Sequence, residues 1–279
     1  MIDAHLHFWN SDKAVHNWPD DLAPVLRRGF SPADLAPEMA LAGVTRIVLM
    51  QSRNDFAESI GFAELAARSS FVGALVGWAD LAIPLAVPGQ LAELASCGKL
   101  RGIRHLVNFE ADGRWLLRDP VQRSIEMLAS ASLVLDVVPT DAVRFDAVLE
   151  TARNHPSLQI VMDHMARPPI GRPAGRWAEQ VREAADLPNI AMKLSVGLDV
   201  LHGWQWRPDD LVPFVDHLVE CFGPRRLMAA SNWPVILASA PSYHQAWKSL
   251  ENLLGHLDEP GRQQVLSGTA RRLFKISNP

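Results

Sequence analysis

Residues 31–52 read SPADLAPEMALAGVTRIVLMQS, and this stretch contains one complete step from a helix to a strand. Ser31 is a good N-cap, Pro32 suits the first helical position, and Gly43 suits the position just after a helix. The apolar run from Arg46 shows no strict alternation with polar residues, which is typical of a parallel strand buried on both faces. The stretch therefore predicts the repeating unit of an α/β fold.

Similar steps follow one another along the chain. Eight short apolar runs alternate with amphipathic helical segments, which favours a closed (β/α)8 TIM barrel with right-handed crossovers. An open doubly wound sheet is the alternative, but no glycine-rich phosphate loop follows the first run. No linker divides the chain, so we expect residues 1–279 to form a single domain. The predicted strands are MIDAHLHFW from Met1, RIVLMQS from Arg46, FVGALVGWAD from Phe71, GIRHLVN from Gly102, LVLDVVP from Leu133, QIVMDHM from Gln159, IAMKLSV from Ile190 and RLMAASNWPV from Arg226.

The composition narrows the range of partners. A formal net charge of −4, with no cluster of Lys and Arg, excludes an electrostatic surface for nucleic acid. No apolar run reaches the ~18 residues of a membrane span, and no secretion signal precedes the first predicted strand. The two cysteines, Cys97 and Cys221, form no CxxC motif and indicate reduced thiols. We therefore expect a cytoplasmic protein that contacts neither membrane nor nucleic acid.

Polar side chains lie near the carboxyl ends of the predicted strands. In a (β/α)8 barrel the active site forms at these ends, and burying a polar group there costs free energy unless it pairs or binds something. The residues that this rule selects are His5, His7, Gln51, Arg53, Trp78, Asp80, Arg104, His105, Asn108, Asp136, Asp163, His164, Lys193, Ser195 and Asn232.

Three histidines in this set are the strongest candidates for chemistry. His5 and His7 form an HxH motif, and alternation along a strand places both imidazoles on the inner side of the barrel. There they can bind one metal ion or one substrate oxyanion, with His164 of the sixth strand as a third member. Alternation turns Asp163 the other way, so we expect this carboxylate to make local structural bonds.

Cationic and aromatic residues suggest how a substrate is held. Alternation predicts that only one of Arg104 and His105 points inward, and a guanidinium there suits a carboxylate or a polarised ring oxygen. Lys193 is either a second inward cation or an outward side chain bonded to a helix. Tryptophans in strand-end loops either wall a pocket for a ring-shaped ligand or pack in the core. The predicted substrate-binding residues are Gln51, Arg53, Trp78, Arg104, His105, Trp204 and Trp233.

A set of motifs in order resembles the amidohydrolase-2 branch of the amidohydrolase superfamily. The segments are IDAHLHFW, GIRH, DHMARPP, KLS, FGPRRLMAASNWPV and SGTARRLF, and they extend from Ile2 to about Phe274. Within this branch the chain is most similar to hydrolases of sugar lactones and of pyrone-dicarboxylate. The resemblance implies a barrel that opens a small cyclic ester with water and uses no organic cofactor. It also implies that His5, His7 and His164 polarise the carbonyl, directly or through a divalent metal such as Zn or Mn.

One position departs from the family pattern. Asn232 stands where the strand-eight motif has an aspartate that ligates metal and takes a proton from water. An amide is no general base and is a poor ligand for a charged metal, although its position places Asn232 among the candidate catalytic and metal-binding residues. Three explanations are open: a deliberate change that traps substrate, a natural enzyme with another base, or a barrel that only binds sugar acids. A metal-dependent decarboxylase of the same superfamily is the alternative reaction.

Overall fold

Eight parallel strands form the centre of the protein. The computed structural model describes residues 1–10, 16, 23–195 and 206–277. Among these residues each strand overlaps one of the eight predicted apolar runs, so the predicted number and order of strands are confirmed. The strands are β1 (Ile2–Leu6), β2 (Arg46–Met50), β3 (Val72–Gly77), β4 (Leu100–His105), β5 (Val134–Val137), β6 (Ile160–Met162), β7 (Ile190–Leu194) and β8 (Leu227–Ala229).

The sheet closes on itself between β8 and β1. Every strand pairs in parallel with the next one in the sequence, from β1 to β8. Just beyond β8, the backbone N–H of Asn232 donates to the carbonyl of His5 at 2.9 Å, and the N–H of His7 donates to the carbonyl of Trp233 at 2.8 Å. The fold is therefore a (β/α)8 barrel, as the sequence predicts.

Helices cover the outside of the barrel. The helix α2 begins at Pro32 and ends at Ala42, and Gly43 follows with a φ of +68°, as the sequence predicts. Asp55 and Asp141 accept backbone N–H groups at the starts of α3 and α6. No helix among the described residues combines the length and apolarity that crossing a membrane requires. The helices are α1 (Ala23–Leu26), α2 (Pro32–Ala42), α3 (Phe56–Arg68), α4 (Val87–Ala95), α5 (Asp119–Ser130), α6 (Ala142–Asn154), α7 (Gly175–Ala185), α8 (Val212–Phe222), α9 (Tyr243–Leu253), α10 (Glu259–Gln263) and α11 (Thr269–Leu273).

The apolar side chains form two layers, and neither layer fills the carboxyl end of the barrel interior. The larger layer lies between the strands and the surrounding helices. The smaller one fills the barrel interior, where Ile2, Ala4 and Val48 cluster with Phe274 and Ile276, which follow α11. Since these apolar side chains occupy the amino-terminal part of the interior, the inward polar side chains collect at the opposite end, where barrel enzymes place their active sites.

Candidate active site

His5 of β1 and His7, which follows the strand, meet inside the barrel. The pairing of β1 with β2 shifts register between Asp3 and Leu6, and His5 and His7 are both buried. Their Nε2 atoms lie 3.0 Å apart. His7 Nδ1 lies 3.1 Å from the carbonyl oxygen of Met50. A carbonyl only accepts, so His7 carries its hydrogen on Nδ1 and presents a lone pair on Nε2.

The end of β6 contributes both a histidine and an aspartate. His164 begins a run of left-handed residues, with φ values of +53°, +53°, +51° and +55° at positions 164–167. Its ring centroid lies 4.7 Å from that of His5, and its Nδ1 lies 2.8 Å from Ser195 Oγ. Asp163 Oδ1 lies 3.0 Å from His5 Nδ1. The expectation that Asp163 points away is therefore wrong, because the left-handed turn interrupts the alternation on which it relied.

Arg104 points into the same cluster, while His105 points elsewhere. Arg104 Nη1 donates to Asp163 Oδ2 at 2.9 Å and lies 3.1 Å from His5 Nε2. Arg104 Nη2 donates to the carbonyl and the side-chain oxygen of Gln51, at 2.6 and 3.2 Å. His105 instead stacks on Trp115, with ring centroids 3.9 Å apart. Arg104 therefore contacts the cluster of His5, His7 and His164, and Gln51 contacts Arg104, whereas His105 lies elsewhere.

A second buried cation, Lys193, lies close to His5. Lys193 Nζ donates to Asp136 Oδ2 at 2.5 Å and contacts Asp163 Oδ1 at 3.0 Å, and none of these three side chains is exposed. Of the two interpretations of Lys193, the inward one is correct. The sequence signal for this pair is a charged residue late in each of two otherwise apolar strands.

Asn232 occupies the turn after β8. Its φ is +54°, a conformation that Asn tolerates better than most residues, and it is 2% exposed. The preceding Ser231 is bound to Asp3, which accepts from Ser231 Oγ at 2.5 Å and from its backbone N–H at 2.9 Å. Asp3 also accepts the backbone N–H of His5 and the hydroxyl of Tyr243. Asp3 was not among the predicted site residues, although it is an acidic residue in a buried strand two positions before His5.

Three of the remaining predicted substrate-binding residues, Trp78, Arg53 and Trp233, lie away from the cluster of His5, His7 and His164. The Trp78 indole N–H donates to His105 at 3.1 Å, so it points away from His5, His7 and His164. Arg53 is one-third exposed and pairs with Asp55 at 3.0 Å. Trp233 is buried against Phe8 and Phe30 in the core, so it does not wall a pocket. Trp204 lies outside the described residues.

Burial and neighbouring cations shape the protonation of the site. Burial lowers the pKa of His164 to about 3, and it holds the pKa values of His5 and His7 well below their ordinary value. Burial acts to raise the pKa of Asp163, but His5, Lys193 and Arg104 outweigh it and hold that pKa well below its usual range. At neutral pH the imidazoles are therefore neutral and Asp163 is ionised.

The donor set fits a divalent cation. His5, Asp163 and His164 each offer one ligand atom, all within 4.8 Å of one another, and imidazole nitrogens with a carboxylate oxygen are ligands that zinc prefers. Because Asp163 Oδ1 accepts a hydrogen bond, it favours the tautomer of His5 that carries its hydrogen on Nδ1. The Nε2 atoms of His5 and His7 then both carry lone pairs, and these two atoms lie only 3.0 Å apart. A cation bound between them would relieve that repulsion. Its binding would require Arg104 to release His5 Nε2.

The chain matches known proteins over nearly its whole length. The family model of the amidohydrolases (Amidohydro_2) matches residues 2–276. An L-fucono-1,5-lactonase of Burkholderia ambifaria is 35% identical over 100% of this chain and 96% of that protein. An L-fucono-1,5-lactonase of Burkholderia multivorans is 32% identical over 100% of this chain and 97% of that protein. A crystal structure of an amidohydrolase from Burkholderia multivorans with bound zinc superposes with a TM-score of 0.90, at 31% identity and 99% coverage of both chains.

Proposed function

We propose that this chain, which belongs to the amidohydrolase family, hydrolyses a sugar-acid lactone as a single domain. In this reaction the water oxygen bonds to the lactone carbonyl carbon and the ring C–O bond breaks. The product is an open hydroxy acid, which releases a proton at neutral pH. The observation that carries the proposal is the meeting of three imidazoles and Arg104 at the carboxyl end of the barrel. The lactonases that align with the full chain support this choice of substrate class.

Arg104 is our candidate for the group that stabilises the oxyanion. Tetrahedral attack places negative charge on the carbonyl oxygen, and a preorganised cation in a buried site lowers the energy of that state. The Nη atoms of Arg104 already donate to Asp163 and Gln51 and contact His5. Its buried Nε has no hydrogen-bond partner among the described residues, so this N–H is the donor left for substrate.

The proton of the attacking water needs an acceptor other than Asn232. We propose that the Asn232 amide orients the water and that, in the metal-free site, the proton passes to the pair formed by His5 and His7. Their Nε2 atoms, 3.0 Å apart, can share one proton. With zinc on His5 Nε2, the remaining acceptor of the pair would be His7 Nε2. Because burial lowers the pKa of both imidazoles, this pair is a weak base, and proton transfer limits the rate.

For the metal we propose zinc, held by His5, His164 and Asp163, rather than manganese. Imidazole-rich sites suit zinc, whereas manganese favours carboxylate, carbonyl and water oxygens. When bound, such an ion supplies Lewis acidity toward the lactone carbonyl. Asn232, a predicted metal-binding residue, adds no negative charge to this set.

Asn232→Asp is the test of this function. The parent, Asn232→Asp and Asn252→Asp are compared on a panel of aldono-lactones with a pH indicator, with and without added zinc or manganese. Asn252 is exposed on α9 and serves as the matched control. We expect Asn232→Asp to hydrolyse one lactone at least ~10²-fold faster than the parent, the scale on which a general base contributes, and Asn252→Asp to behave as the parent.

Two outcomes would contradict the proposal. Release of carbon dioxide from an aromatic or muconate acid, with no lactone opened by any variant, would favour the decarboxylase. Stabilisation of the fold by a sugar acid, without turnover even in Asn232→Asp, would instead indicate a binding protein.

A further inference from the structure

The floor of the site contains a buried ion pair that the proposed mechanism does not use. Lys193 and Asp136 project from strands that are not neighbours, and Lys193 Nζ lies 2.5 Å from Asp136 Oδ2 with neither side chain exposed. Lys193 Nζ also lies 3.0 Å from Asp163 Oδ1, the same oxygen that lies 3.0 Å from His5 Nδ1. One carboxylate oxygen is therefore shared between Lys193 and His5.

Stability alone is a weak reason for this pair. Removing two charges from water costs free energy that their attraction repays only when the geometry is good and the remaining lone pairs are satisfied. Asp136 Oδ1 is buried and has no hydrogen-bond partner among the described residues. Neutral side chains of similar volume would fill the same space at little cost.

We infer that Lys193 and Asp136 are positioning residues that hold Asp163 against His5 and thereby fix the tautomer of His5. Asp163 Oδ2 is bound by Arg104 at 2.9 Å, and Lys193 is the cation that binds the other oxygen. A carboxylate only accepts hydrogen bonds, so Asp163 Oδ1 favours a hydrogen on His5 Nδ1 and a lone pair on Nε2.

Lys193 itself does not oppose this arrangement. Its Nζ lies 3.3 Å from His5 Nδ1, but the two carboxylate oxygens are nearer, at 2.5 and 3.0 Å. Asp136 binds the same ammonium group, so a chain of contacts runs from Asp136 through Lys193 and Asp163 to His5. The kinetic consequence rests on the proposed function, whereas the tautomer of His5 does not.

The test compares removal of one member of the pair with removal of both, and only the double variant leaves neither partner behind. The variants are Lys193→Met, Asp136→Asn and the double variant, in which Arg104 and Asp163 remain paired. The matched control is Lys248→Met with Glu251→Gln, a pair on α9 with its lysine 69% exposed and its Nζ 3.4 Å from the carboxylate. Unfolding midpoints, kcat and KM on the preferred lactone, and two-bond ¹H–¹⁵N spectra of histidine-labelled protein are measured at one pH. His5→Gln identifies the His5 signals.

We expect the double variant to unfold at a denaturant concentration close to that of the parent, while each single variant unfolds earlier. His5 of the double variant should show a mixture of tautomers. Its kcat should fall about 10–100-fold with KM within about threefold, the usual cost of losing a group that orients a functional histidine. The control variant should match the parent in all three measurements.

Two results would overturn the inference. An unchanged His5 spectrum, or an unchanged kcat in a folded double variant, would show that Asp163 holds His5 without help. A double variant as unstable as the single variants would show that the pair is structural. If no variant or parent opens a lactone, the proposed function fails, and the His5 spectrum alone decides the positioning role.

Discussion

Asp3 is a buried carboxylate whose ionisation should be visible in the stability of the fold. It has no exposed surface and accepts four hydrogen bonds, from the backbone N–H of His5, from the N–H and hydroxyl of Ser231, and from the hydroxyl of Tyr243. Burial raises its pKa from the ordinary 3.8 to about 6, against the opposing effect of these hydrogen bonds. The substitution Asp3→Asn removes this titration.

The magnitude follows from the two pKa values. Below pH 3.8 the carboxyl is protonated in the folded and unfolded states alike. As the pH rises from about 4 to about 6, the unfolded chain loses the proton first, so ionisation favours unfolding. The difference between 3.8 and about 6, at 1.36 kcal/mol for each pH unit, corresponds to about 3 kcal/mol. The parent should therefore lose about 3 kcal/mol of unfolding free energy relative to Asp3→Asn across this range.

Urea unfolding between pH 4 and 7.5 measures this difference. The parent, Asp3→Asn and Asp209→Asn are unfolded at each pH, and subtracting one variant from another cancels the titrations that they share. Asp209 is exposed, so its replacement should leave the pH dependence of the parent intact. The reasoning would be refuted if the parent did not lose unfolding free energy relative to Asp3→Asn as the pH rises, or if it gained. In that case the four hydrogen bonds would lower the pKa of Asp3 by at least as much as burial raises it.

Two further substitutions test the backbone and the barrel wall. Ser132 is exposed after α5 with a φ of +53°, so Ser132→Gly should raise the unfolding free energy by about 0.5–1 kcal/mol in urea titrations, and destabilisation would contradict the strain argument. Gly102 in β4 has no room for a methyl group, since a Cβ would lie 2.9 Å from the carbonyl oxygen of Val134. Gly102→Ala should lower the unfolding free energy by about 1–3 kcal/mol, whereas Gly61→Ala, with open space around it on α3, should not.

The sequence was sufficient to predict the barrel because strands that are buried on both faces appear as continuous apolar runs. Each of the eight apolar runs became a strand, and alternation correctly separated Arg104, which faces the histidines, from His105, which stacks on Trp115. The HxH motif likewise placed the imidazoles of His5 and His7 side by side. These predictions succeeded because they depended on regular backbone geometry.

The sequence was insufficient where the backbone leaves that geometry or where partners are distant. Alternation failed at Asp163 because the left-handed residues that follow it turn His164 toward the same centre. The inward direction of Lys193 depends on Asp136, 57 residues away on a strand that is not its neighbour. The core position of Trp233 depends in the same way on Phe8 and Phe30, which come from the other end of the chain. No local pattern encodes such pairings.

The closure between β1 and β8 has a consequence for how the protein is made. The bond from Ser231 to Asp3 joins residues 228 positions apart, and it fastens His5 to the turn that carries Asn232. On the ribosome, His5 and His7 emerge before the other seven strands, yet their surroundings are complete only after the eighth strand has left the exit tunnel. Until then β1 presents an unpaired edge, which can attract other chains. Chaperone protection of the nascent chain should therefore matter most during this interval, and the ability to bind a ligand should arise in one late step of synthesis.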